Sequence, residues 1–155
     1  MNMNLEQLKL ALNLHNIRRF QTHRLMQSKS VAEHSFRVGA IFAFFGGKEF
    51  IPAFMHDIEE STTGDLPSPI KKDLQGLDKF EAVRPQFKDE YEKKLGKLAD
   101  KLELILDLRE QLEDVGKLPK RLMTIYEDEL DEALDIARSV GKLKEVKQLL
   151  KEIGR

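Results

Sequence analysis

Apolar residues recur three to five positions apart at Leu5, Leu8, Leu12 and Ile17, which predicts a first amphipathic helix. Ser30-Val31-Ala32-Glu33 has the form of a capping box, in which Ser30 caps the next helix and Glu33 reaches back to it. That helix carries Val31, His34, Val38, Ile41, Phe42 and Phe45 on one stripe and is expected to stop at Gly46-Gly47. The segment from Phe50 to Ile58 is apolar nearly all round, as expected of a helix buried on most sides. Two prolines in Thr63-Gly64-Asp65-Leu66-Pro67-Ser68-Pro69 then break the periodicity.

From about Lys79 to Leu112 the pattern predicts a long charged helix with a stripe of Leu95, Leu98, Ala99, Leu102, Ile105 and Leu106. Pro119 suits the first turn of a helix that runs to Val140 and ends at Gly141. A last helix covers Leu143 to Ile153, and its Lys/Glu-rich surface reads as a solvated face. No period-two alternation of strand length, internal repeat or flexible linker is visible. The pattern therefore predicts one all-α domain over residues 1–155, a bundle of about six helices.

Composition narrows what such a bundle can do. The length of 155 residues suits a single core, and 26 Lys+Arg against 27 Asp+Glu leave no basic excess for a nucleic-acid polymer. With no Cys, disulfides, thiolate metal sites and cysteine nucleophiles are excluded. No apolar run approaches about 18 residues and the first residues do not read as a signal peptide, so a cytoplasmic protein without membrane association is expected. All four His (His15, His23, His34 and His56) fall in the first 56 residues. Any metal site must combine His from that third of the chain with carboxylates.

His34 lies within the apolar stripe of its helix and points inward, as either a core histidine or a ligand would. His15, near the end of the first helix, and His23, in a polar stretch, have no fixed role. His56-Asp57 follows the apolar segment directly, with Glu59, Glu60 and Asp65 close behind. On a continuous helix His56 and Glu60 share a face, with Asp57 about 60° away. Acids at the C-terminal end of a helix oppose its macrodipole, and a divalent cation is the simplest compensation. Imidazole and carboxylate ligands suit Zn, Mn, Fe, Co or Ni, with Mg favoured when oxygen ligands dominate. A fourth ligand must come from elsewhere, and periodicity does not choose among Asp100, Asp107 and Asp114.

The order His34, then His56-Asp57, then a distant helical Asp resembles the metal-binding signature of the HD-domain phosphohydrolases. Val31-Ala32-Glu33-His34-Ser35 resembles the (S)VAEHS segment around the first ligand. The run from His56 to Lys71 resembles the HDxxExxTGDLPTPVK run of bacterial 5′-deoxynucleotidases, a group to which phage HD-domain dATP triphosphohydrolases also belong. Lys97-Leu98-Ala99-Asp100 resembles the K-x-A-D segment that supplies the last ligand, and this match selects Asp100. The motif-bearing core spans about residues 18–110, with C-terminal helices over about 118–153.

The resemblance implies an HD-domain helical bundle with His34, His56, Asp57 and Asp100 as ligands of one divalent ion (Co, Mn, Zn, Ni, Fe or Mg). It makes Glu60 and Asp57 the catalytic pair, although Glu60 could instead orient His56. Arg19 and Lys71 would hold phosphate, one bidentately and one as a mobile point charge, while Thr63 and Asp65 shape the phosphate and sugar site. Phe20 stands where the family pattern has Trp and offers a smaller apolar wall to the deoxyribose. The implied activity is hydrolysis of the 5′-phosphate of 2′-deoxyribonucleotides, by a homo-oligomer as is common in the family. The alternatives are a deoxynucleoside triphosphate phosphohydrolase of dATP type, which releases triphosphate or removes phosphates stepwise, or a non-catalytic helical module that binds metal or nucleotide.

Overall fold

The computed structural model describes residues 5–19, 29–65 and 82–152. Among them are seven α-helices and no strand: α1 (Leu5–Asn13), α2 (Val31–Phe44), α3 (Phe50–Phe54), α4 (Glu60–Thr63), α5 (Glu90–Val115), α6 (Lys120–Ser139) and α7 (Leu143–Glu152). A short 3-10 turn, Leu14–Asn16, follows α1. The all-α expectation holds. Contacts divide the chain into two compact units, Met1–Arg37 with Glu49–Phe87 and Val38–Lys48 with Lys88–Arg155.

In the first unit, α1 and the 3-10 turn lie against α4, and the Asn13 side-chain amide donates to the Ser61 carbonyl at 2.9 Å. Leu14, Val31, Ala53, Met55 and Ile58 are buried. An isolated antiparallel bridge pairs Arg18 with Ser30. Around it the Arg19 amide donates to the Lys29 carbonyl and the Val31 amide to the Ile17 carbonyl. This bridge brings the segment ending at Arg19 alongside the start of α2. The Ser30 hydroxyl accepts from the Glu33 amide at 3.2 Å, so the cap foreseen from Ser30 is made.

The expected helix over Phe50–Ile58 is a real departure. Helix α3 ends at Phe54, and residues 55–59 form tight turns before α4 begins. Successive amides there reach back three residues rather than four: Ile58 to the Met55 carbonyl, Glu60 to Asp57 and Ser61 to Ile58. His56 and Glu60 are therefore not neighbours on one helical face. Glu60 instead opens α4, where a carboxylate is favoured by the helix dipole.

The second unit packs α5 against α6 and α6 against α7. The α5 stripe of Leu95, Leu98, Ala99, Leu102, Ile105 and Leu106 is buried as expected, and α5 starts at Glu90 because the Asp89 carboxylate caps the Glu92 amide at 3.0 Å. Lys101 is buried between Glu129 and Glu132, at 2.7 and 2.8 Å. After α2 the chain turns at Gly46, whose φ of +84° suits glycine. At Gly47 an added Cβ would lie 2.3 Å from the Phe42 ring, which is itself fully buried. Gly47→Ala should therefore destabilise the fold by about 1–3 kcal/mol through overpacking, read as a lower urea midpoint with unchanged slope.

Candidate metal and phosphate site

Three ligand atoms from two short stretches of the first unit converge. His34 Nε2 and His56 Nε2 lie 3.0 Å apart, and Asp57 Oδ2 lies 3.4 Å from the first and 3.2 Å from the second. His34 comes from the first turn of α2, where its place on the buried stripe aims the ring inward. His56 and Asp57 come from the turn after α3. That turn places both side chains on the same point, which a straight helix would not do for adjacent residues.

The donor chemistry fits a divalent metal. His56 Nδ1 lies 2.8 Å from the Ala53 carbonyl oxygen, which can only accept, so Nδ1 carries a proton, and the neutral ring presents the Nε2 lone pair to the site as metal ligation requires. Two imidazoles and one carboxylate suit Zn and its neighbours in the first transition row. His34 is fully buried, whereas about a fifth of the His56 and Asp57 side chains is exposed, so the group opens to solvent on one side. An open side is what a catalytic metal needs for substrate.

Burial by itself raises the pKa of Asp57. The charge of His56 when protonated, together with hydrogen bonds from the His34 and His56 rings, outweighs that and holds the carboxyl well below its ordinary value. A depressed carboxylate stabilises the fold above the ordinary carboxylate range, and that contribution is lost as pH falls through the lowered value.

The remaining candidates are distributed as follows. Arg19 Nη1 lies 2.9 Å from His34 Nδ1, so this cation borders the His34–His56–Asp57 cluster directly. Glu60 is buried at the start of α4. The Thr63 hydroxyl lies 3.3 Å from the Glu59 carbonyl and 3.0 Å from that of Gly64, and Asp65 follows Gly64 at a φ of +73° for the glycine. Asp100 stands on α5 in the second unit, partly exposed, one turn before buried Glu103. Asp107 is buried on the same helix. Phe20, His23 and Lys71 lie outside the described residues.

Sequence reasoning passed over the pair that braces this turn. Glu59 is 2% exposed, and Arg84 grips its carboxylate with two nitrogens, Nε at 3.2 Å and Nη2 on the other oxygen. The Glu59 carbonyl meanwhile accepts from the Thr62 and Thr63 amides. One residue thus ties Arg84 to the backbone of α4. Glu59 was visible within His56-Asp57-Ile58-Glu59-Glu60, but nothing in the pattern around Arg84 marks it as its partner.

No curated protein sequence matches this chain. Its fold resembles a cyanophage S-2L HD phosphohydrolase bound to dA and one catalytic Zn2+ ion, with a TM-score of 0.69, 19% identity, and 99% of this chain and 98% of that one covered. A conserved hypothetical protein from Pyrococcus furiosus gives a TM-score of 0.62 at 24% identity, covering 94% of this chain and 100% of the other. An HD-domain phosphohydrolase from Listeria innocua gives 0.63 at 22% identity, covering 98% and 87%. The sequence profile of the YfbR-like 5′-deoxynucleotidases matches residues 7–151, which takes in both units and every candidate ligand; the chain belongs to the YfbR-like 5′-deoxynucleotidase family.

Proposed function

We propose that this enzyme is a metal-dependent hydrolase that removes the 5′-phosphate of 2′-deoxyribonucleoside monophosphates, giving a deoxynucleoside and phosphate. The observation that carries this reading is the convergence of His34 Nε2, His56 Nε2 and Asp57 Oδ2 within 4.8 Å of one another in a chain of a deoxynucleotidase family. Asp100 completes the ligand set in this reading. When bound, the ion supplies Lewis-acid stabilisation of the phosphoryl oxygens and activates water.

The protein's own groups do the rest. In this reading two neutral histidines, Asp57 and Asp100 would hold the ion with a formal ligand charge of −2 that only balances it, so the substrate's own negative charge needs further cations. Arg19 and Lys71 neutralise the phosphate, and Glu60 exchanges a proton with the attacking water or the leaving 5′-oxygen. Thr63 and Asp65 would border the phosphate and sugar, and the family pattern assigns the deoxyribose contact to Phe20. The family match across both units supports a single catalytic domain. Phe36 and Phe44, exposed eight residues apart on α2, support assembly with further copies of the chain. No helix of the described residues is long and apolar enough to cross a membrane, and a cytoplasmic location belongs to the same proposal.

The test is an assay of metal-loaded protein against panels of dNMP, rNMP and dNTP, with phosphate and triphosphate resolved. Phosphate release from dNMP, abolished by a chelator and restored by metal, is the expected result. Triphosphate release from dNTP alone would replace the monophosphate reading with the triphosphatase one. Bound metal without turnover of any deoxynucleotide would leave a binding module.

A further inference from the structure

Helix α4 is too short to hold its own direction. It spans four residues, Glu60–Thr63, and isolated helices are marginal in water well beyond that length. Contacts from outside the helix must orient it. From α1, the Asn13 amide holds the Ser61 carbonyl at 2.9 Å. From the segment ahead of α5, Arg84 places one nitrogen on each oxygen of the Glu59 carboxylate. The Arg84 main chain is tied in turn, since its carbonyl accepts from the Gln86 side-chain amide at 3.2 Å.

Glu59 passes that hold on to α4. Its carbonyl accepts from the Thr62 and Thr63 amides at 2.9 and 3.1 Å, and from the Thr63 hydroxyl at 3.3 Å. The Glu60 amide donates to the Asp57 carbonyl at 3.0 Å. A residue fixed at both its side chain and its carbonyl sets the rotation of the turn that follows it. Glu60 is the first residue of that turn and is buried, so the direction of its side chain follows the backbone that Glu59 holds.

Stability is a weak reason to keep such a pair. Desolvating a buried carboxylate offsets most of its attraction to a counter-ion, and apolar replacement of both partners is often close to neutral. What a two-pronged guanidinium–carboxylate contact supplies is direction, because two parallel bonds fix an angle as well as a distance.

We infer that Glu59 and Arg84 are positioning residues for hydrolysis: together they hold Glu60 in place for its proton transfer, and they act through Glu60 rather than through the metal ligands. The inference rests on the role given to Glu60 above and deepens it. Neither residue needs to touch the substrate.

The experiment compares wild type, E59Q, E59M/R84M, E60Q and the triple variant E59M/E60Q/R84M. Each is assayed for dNMP turnover, for zinc affinity by competition with a chromophoric chelator, and for its urea midpoint. E59M/R84M should lose about tenfold to a hundredfold in kcat, the scale of a misplacement near 1 Å, with KM and zinc affinity within about twofold of wild type. E60Q should lose about 10²–10⁴-fold in kcat. Removing the pair from E60Q should then cost less than about twofold more, since nothing is left to position. E59Q keeps the shape of Glu59 and an oxygen for Arg84, and should lose about threefold in kcat with the same split. It carries the comparison if the double variant does not fold.

Wild-type kcat in a folded pair variant overturns the proposal. So does a loss of zinc affinity large enough to account for the loss of kcat. An equal loss from removing the pair with and without Glu60 also overturns it, since loosened structure alone gives that result. These three outcomes leave the hydrolase reading standing. Wild-type turnover by E60Q overturns the proposal through the role of Glu60. Zinc-loaded wild type that hydrolyses no deoxynucleotide overturns it through the hydrolase reading itself.

Discussion

Asp57→Asn is expected to lose deoxynucleotide hydrolysis on the order of 10³-fold and stoichiometric metal together, with the fold retained. The amide nearly preserves the shape of the side chain, so the turn at residues 55–59 should persist. What it removes is a carboxylate within 3.4 Å of both His34 Nε2 and His56 Nε2. An amide oxygen carries no charge to offset a divalent ion, and its NH2 presents a donor to histidine lone pairs that a metal needs. Metal analysis of the purified variant and steady-state assays at several metal concentrations check the result. Activity that returns at high metal concentration would place the loss in affinity. Near wild-type turnover without added metal would remove Asp57 from the ligand set.

The largest expected effect on stability belongs to Arg84. Arg84→Met should cost about 3–5 kcal/mol, because it leaves the Glu59 carboxylate buried without its counter-charge. Glu59→Met combined with Arg84→Met should recover most of that loss, since replacing both members of a buried ion pair by apolar groups is often close to neutral. Urea unfolding of both variants and the wild type reads the difference. The double variant should still turn over more slowly, because the ion pair that tied the turn ending at Glu59 to Arg84 is gone and Glu60 opens the next helix. Equal stability of the single and double variants would mean that the pair is not what braces the turn.

The parts of the molecule that the sequence announced are those where local chemistry and the hydrophobic pattern agree. Ser30 caps α2 and Val31, His34, Val38 and Phe42 are buried, because a 3.6-residue period leaves a helix one way to face the core. That His34 and His56-Asp57 would converge followed from residue type and from the family motif together. The turn at Met55–Glu59 did not follow, since an apolar run carries no sign of where its helix stops. Only the three-residue backbone bonds show it. Arg84 was hidden for another reason: it meets Glu59 across 25 residues of chain, a separation on which periodicity is silent. The choice of Asp100 over Asp107 came from the motif alone, and both residues occupy α5.

The Asn13 amide that holds the Ser61 carbonyl joins residues 48 positions apart. During synthesis α1 emerges first and has no α4 to lie against until dozens of further residues have been added. The turn bearing His56 and Asp57 is likewise made before its neighbour α4 can be tethered. Docking of α1 therefore waits at least until Ser61 has been made. An N-terminal extension that delays the docking of α1 acts on a centre that it never touches.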